Sequence, residues 1–166
     1  MLDFIVGLDK ELLILINSVW TSPWADRFFP FITDLHKTAW FQWSIIPFLL
    51  FLYSYLRGAK KAVLIIAMTL ICVGISDGVG NWGFKKNIQR PRPGNTENLE
   101  VIVRTPYAGT SFISNHSSNM FAIATFTSFI FPIAAVPLFS LAFLVGYSRI
   151  YNGVHFPADV ICGALL

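Results

Sequence analysis

The stretch 62-AVLIIAMTLICVGISDGVGNWGF-84 contains one charged side chain, Asp77, and follows directly on the basic turn Arg57-Gly58-Ala59-Lys60-Lys61. An apolar run of about 20 residues is long enough to cross a bilayer as a helix. A basic turn at its start marks the cytoplasmic side. Upstream, Thr38–Leu56 has no Asp, Glu, Lys or Arg, with Trp40 and Trp43 near one end and Tyr53 and Tyr55 near the other, the aromatic pattern of a second span. Downstream, a polar loop rich in Pro, Arg and Asn runs from Lys85 to about Thr110, and Arg104 to Arg149 then encloses a stretch without a charged residue. That stretch is too long for one span. Pro132 and Pro137 divide it, predicting helices over 115–131 and 134–150. Pro157 suits the first position of a last helix. About ten residues remain after it, roughly 15 Å of helix, so this element is expected to be cut short.

The composition agrees. The 166 residues are 55% hydrophobic and 13% charged, with a mean hydropathy of +0.62. Soluble domains carry about 25% charged residues, which disfavours that class, and disorder requires low hydrophobicity and is excluded; one all-α, polytopic membrane bundle spanning 1–166 is expected. Residues 1–37 are expected to form interfacial or short N-terminal helices and 38–166 the main helical core. Residues 4–20 fit an amphipathic interfacial helix or a short span equally well, and 21–36 a short interfacial helix. The net charge of +3 is not arranged as a stripe, so nucleic acid is not an expected partner. The bilayer and its lipids are. Cys72 and Cys162 both lie in apolar segments and read as inert thiols.

With Arg57, Lys60 and Lys61 inside, alternation puts the Lys85–Thr110 loop and the 151–156 loop together on the outer face. Arg90, Arg92 and Arg104 then sit on the side where basic residues are unexpected, and anion binding would explain them. Arg92 lies between Pro91 and Pro93, whose rings stiffen the backbone. A guanidinium held there suits bidentate phosphate capture. The same loop could instead rest against lipid headgroups. Ser114-Asn115-His116 opens an apolar helix. Ser is a good N-cap, and the free amides of a first turn attract anions. His116 beside them is either a surface or capping residue or part of that site. Arg149 ends one helix, and His155 and Asp159 flank the start of the next at a spacing of four. The carboxylate could fix the imidazole tautomer and free the other nitrogen for attack, or it could simply favour the helix N-terminus. Asp77 inside a span reads more readily as structural than as catalytic. Asp34 and His36 are assigned no role.

Taken together and in order, Lys85-x6-Arg92-Pro93, Ser114-x-His116 and Ser148-Arg149-x5-His155-x3-Asp159 resemble the three motifs of the type 2 phosphatidic acid phosphatase (PAP2) superfamily, which shares its site with vanadium haloperoxidases. Ile113 and Asn115 stand where that family usually has Pro and Gly. The resemblance implies a PAP2/haloperoxidase-like core and a lipid phosphate or pyrophosphate phosphatase. In that reading His155 is the nucleophile forming a phosphohistidine, Asp159 orients it, and His116 is the acid and then the base. Lys85, Arg92, Arg149, Ser114 and the backbone of Asn115 hold the phosphate. It implies no metal and no cofactor, and a bacterial inner membrane location with the site facing the periplasm or exterior. The expected substrate leans to undecaprenyl pyrophosphate, with phosphatidic acid, phosphatidylglycerol phosphate and lipid A phosphates as alternatives. Phosphotransfer is a rival reaction, and a non-catalytic lipid-headgroup-binding protein a rival class. The sequence is silent on oligomeric state.

Overall fold

The structure is a computed structural model describing residues 2–166, with side chains from Phe4 onward. Helix α1 (Leu2–Ile14) continues into a π-helical turn at Leu15–Val19. Helix α2 (Ala25–Asp34) ends in a 3-10 turn at Leu35–Lys37. A π-helical turn at Phe41–Ile45 leads into α3 (Ile46–Arg57), and α4 (Ala59–Gly78) follows. Gly58 joins α3 to α4 at φ 82°, a left-handed conformation that a side chain would strain. Helix α4 runs on through a π-helical segment, Val79–Lys85, into the single turn α5 (Lys86–Ile88). Segments of this kind are often found at functional sites. After the loop come α6 (Asn115–Ile130), α7 (Ala135–Tyr151) and α8 (Pro157–Leu165). Among the described residues there is no strand.

The helices fall where the apolar runs place them. Ala59–Asn95 and Pro132–Tyr151 are long and apolar enough to cross a membrane, and Ala25–Lys37 with Phe41–Arg57 would form a third crossing bent by 53°. The 21–36 segment, expected as an interfacial helix, is the first limb of that bent pair. Helix α6 has 16 residues, about 24 Å, and packs against α4, α7 and α8 as the central element. The outer sides of α3 and α4 expose Phe48, Phe51, Tyr55, Val63, Leu64 and Leu70. Large apolar side chains facing outward in rows are stable only against lipid or a partner.

One face gathers the turns and the other the loops. Arg57 donates to the carbonyl of Ile130 at 2.9 Å and lies 4.9 Å from the Phe131 ring centroid, so the basic turn covers the C-terminal end of α6. At the opposite end the 85–110 loop meets the 152–156 turn. Leu13, Ile150, Phe156 and Val160 form a buried cluster there, with Leu99 and Val101 from the loop packed on it. Asn17, fully buried, donates to the carbonyls of Ile102 and Tyr151 and accepts from the Ile102 amide, each at 2.8 Å. Gly153, at φ 69°, leaves room for the Ile102 carbonyl, which a Cβ would approach to 2.6 Å.

Candidate active site

The turn after α7 sets the position of His155. The amides of Val154 and His155 both donate to the Arg149 carbonyl, at 3.2 and 3.3 Å. The His155 side chain is 2% exposed. Its Nε2 lies 3.1 Å from Arg92 Nη1. A guanidinium can only donate, so Nε2 accepts, and in the neutral ring the proton sits on Nδ1. That is the tautomer required for attack through Nε2. Burial, the dominant cause, and the nearby Arg92 and Arg149 push the His155 pKa down to about 4 against the opposing pull of Asp159, keeping the ring neutral.

Arg92 is held more firmly than the proline-flanked sequence alone requires. Its Nε donates to Gly109 O at 3.1 Å, Nη2 to Ala108 O at 3.0 Å, and Nη1 to Val154 O at 2.8 Å as well as to His155. Most of its donors are therefore spent on loop carbonyls. The N–H facing His155 and the second N–H of Nη2 are the donors left for an anion.

Asp159 departs from the expected arrangement. Its Oδ2 is 3.6 Å from His155 Nδ1, too far for a hydrogen bond. That oxygen is taken by the Ser111 hydroxyl and, at 2.9 Å, by the Phe156 amide. Oδ1 accepts from Arg90 Nη1 at 2.7 Å. Asp159 thus faces the imidazole at ion-pair distance while its geometry is fixed from elsewhere. Arg90 also grips Asp9 at 2.6 Å, and Arg104 pairs with Asp26 at 2.7 Å and with backbone carbonyls. Of the three arginines expected to serve an anion, these two serve protein carboxylates instead, and Arg92 alone lines the cavity.

The cavity has a volume of 230 Å³; Lys85, Arg92, Arg149, Asn115, His116 and His155 line it, with Asp34, Lys37 and the 106–108 loop on the rim. It brings together six of the eight residues singled out from the sequence. Ser114 and Asp159 lie behind it. Ser114 is fully buried, and its Oγ accepts from the Ser117 amide at 3.5 Å as the N-cap of α6. The capping bonds leave the amides of Asn115 and His116 unused. The Asn115 side chain donates to Asp77 Oδ1 at 2.9 Å, beside Asn119, which donates to the same oxygen at 3.0 Å. Gly80 makes room for it, since a Cβ there would lie 3.0 Å from Asn115 Oδ1. Asp77 is accordingly a tie between α4 and α6. Thr33 and Ser111 were not singled out from the sequence, and His36 was assigned no role there. Thr33 accepts from Arg149 Nη1 at 2.8 Å, and the His36 ring lies edge-on to His116 at 5.7 Å. Thr33 and His36 lie in the polar run Thr33–Lys37 and Ser111 in a loop rich in Ser and Thr, and neither stretch has a spacing that points to a site.

A second cavity, 400 Å³, opens beside His116. It is lined largely by apolar residues, including Ile32, Leu35, Phe41, Val73, Met120 and Leu141. A basic cavity thus adjoins an apolar one inside the helical membrane bundle, with His116 lining both.

Comparison with known proteins gives the class. The PAP2 superfamily matches residues 58–166. A lipid A 4'-phosphatase of Porphyromonas gingivalis is 35% identical over 98% of this chain and 69% of its own length. A second protein of that name, from Bacteroides thetaiotaomicron, is 28% identical over the whole chain and 75% of its own. Among solved structures, Aquifex aeolicus LpxE is 33% identical with a TM-score of 0.66, covering 93% of this chain and 87% of that one. A PAP2-type phosphatidylglycerolphosphate phosphatase from Bacillus subtilis shares the fold, with a TM-score of 0.72 at 23% identity over 96% of this chain and 79% of that one. The chain belongs to the PAP2 superfamily and is a membrane phosphatase of that type.

Proposed function

We propose that this phosphatase removes a phosphate monoester, the 4'-phosphate, from lipid A at the external face of the bacterial inner membrane, without a metal. The observation that carries the chemistry is the Arg92–His155 contact, which presents Nε2 as a lone pair in a cationic cavity. Nε2 attacks phosphorus as the P–O bond to the sugar breaks. The negative charge of the entering phosphate draws His116 into its imidazolium form, and the leaving oxygen takes that proton. His116 then accepts a proton from water, which attacks the phosphohistidine and releases inorganic phosphate. Lys85, Arg92, Arg149 and the first-turn amides of α6 stabilise the equatorial oxygens. Three cations at the reacting centre supply the charge a metal would otherwise bring. Lipid A is favoured over an isoprenoid pyrophosphate because two relatives matching nearly the whole chain bear the lipid A 4'-phosphatase name.

The test is phosphate release by purified protein from lipid A, undecaprenyl pyrophosphate and phosphatidic acid, with EDTA present and no added acceptor. Release from lipid A, undiminished by EDTA, is expected. Turnover of the pyrophosphate alone would move the substrate to the isoprenoid carrier, and loss in EDTA would overturn the metal-free reaction. His155→Ala is expected to lower release by about 10³-fold or more. Unchanged release would overturn the nucleophile.

A further inference from the structure

We propose that Thr33 is a positioning residue of the active site, setting the guanidinium of Arg149 from a segment that precedes the family-matched region 58–166. The inference rests on the reading of the cavity as a phosphate site. Arg149 is 5% exposed, and Thr33 Oγ1, on a residue 1% exposed, accepts from its Nη1 at 2.8 Å. Among the described residues this is the hydrogen bond that fixes the guanidinium, and its Nε is buried without a partner. Lys85 and Arg92 line the same cavity, so repulsion favours an Arg149 rotamer turned away from them. A hydroxyl oxygen opposes that tendency without a formal charge. A carboxylate in its place would orient the guanidinium equally well but would neutralise the charge that phosphate needs. Thr33 is also in the last turn of α2, where the helix dipole favours a cation. The rest of the segment surrounds the same chemistry. Asp34 and Lys37, paired at 2.7 Å, rim the cavity, and His36 packs against His116. The segment Thr33–Lys37 is thus a wall of the site that the three sequence motifs do not supply.

The experiment is calorimetric binding of orthovanadate, an analogue of the transferring phosphoryl group, to full-length protein in detergent, read together with the thermal midpoint. Thr33→Val keeps the branched shape and removes the acceptor. It is expected to weaken vanadate binding at least tenfold in protein that remains folded, with the lowered thermal midpoint that one unsatisfied buried donor brings. Thr33→Ser restores the acceptor and is expected to restore affinity to within about threefold. Where Thr33→Val is poorly folded, Thr33→Ala against Thr33→Ser makes the same comparison. In turnover the loss is expected in kcat as well as KM. Wild-type affinity in the Val or Ala variant, or no rescue by Ser, would overturn the role of Thr33 while leaving the phosphatase reading intact. No vanadate binding by the wild type would overturn the phosphate site and this inference with it.

Discussion

At the scale of single residues, the proposed chemistry turns on His155 being uncharged. Burial, aided by Arg92 and Arg149, lowers its pKa from 6.5 to about 4. Between these values the unfolded chain binds the proton and the folded chain does not. The contribution to stability is therefore fully present above pH 6.5 and is lost as pH falls toward 4. In histidine NMR spectra the resonance absent from His155→Gln is expected to stay constant from pH 8 to about 5.5; a midpoint near 6.5 would contradict the buried neutral ring. His155, His116, Lys85, Arg92 and Arg149 were legible because their spacing is a chemical pattern. Thr33 and Ser111 were not, because each acts through one long-range hydrogen bond that leaves no periodicity. Asp159 was legible as a neighbour of His155 but not as the partner of Ser111, Arg90 and the Phe156 amide.

At the scale of elements, two ties hold the site together. Arg90 bridges Asp9 of α1 and Asp159 of α8, whose side chains are 6% and 0% exposed. Removing it strands two buried carboxylates. Arg90→Ala is expected to lower stability by about 3 kcal/mol, and Asp9→Asn in that background to recover part of it, as read from denaturant midpoints. The second tie joins α4 to α6 through Gly80, Asp77 and Asn115. Gly80→Ala is expected to displace the Asn115 amide and lower kcat/KM, whereas in an Asn115→Gly background the same change should have little effect. The cycle is expected to give a coupling of roughly 1 kcal/mol, and additive losses would refute the contact. The helices themselves were readable from apolar run lengths. The bent entry through 25–57 was not, because neither the polar run Thr33–Lys37 nor the break before Phe41 specifies an angle, which is set by what the two limbs pack against.

At the scale of the whole molecule, the turns and loops lie on opposite faces, as alternating spans require, and the basic turn Arg57–Lys61 is proposed to face the cytoplasm. With Cys72 and Cys162 replaced by Ala, a cysteine at Lys60 is expected to resist a membrane-impermeant thiol reagent in intact cells and one at Glu97 to react. The reverse pattern would invert the orientation and place the cavity inside.

The Asp9 carboxylate that holds Arg90 also accepts the Ala158 amide at 2.8 Å, across 149 residues of chain. A polypeptide emerging from the ribosome makes Asp9 long before Ala158. The setting of Asp159 behind His155 can then be completed only once α8 has been synthesised, after the helices that precede it. A product that stops before α8 carries the cationic loop and His116 but lacks this setting. The geometry around His155 is thereby coupled to the synthesis of α8, the element farthest from α1 in the described sequence.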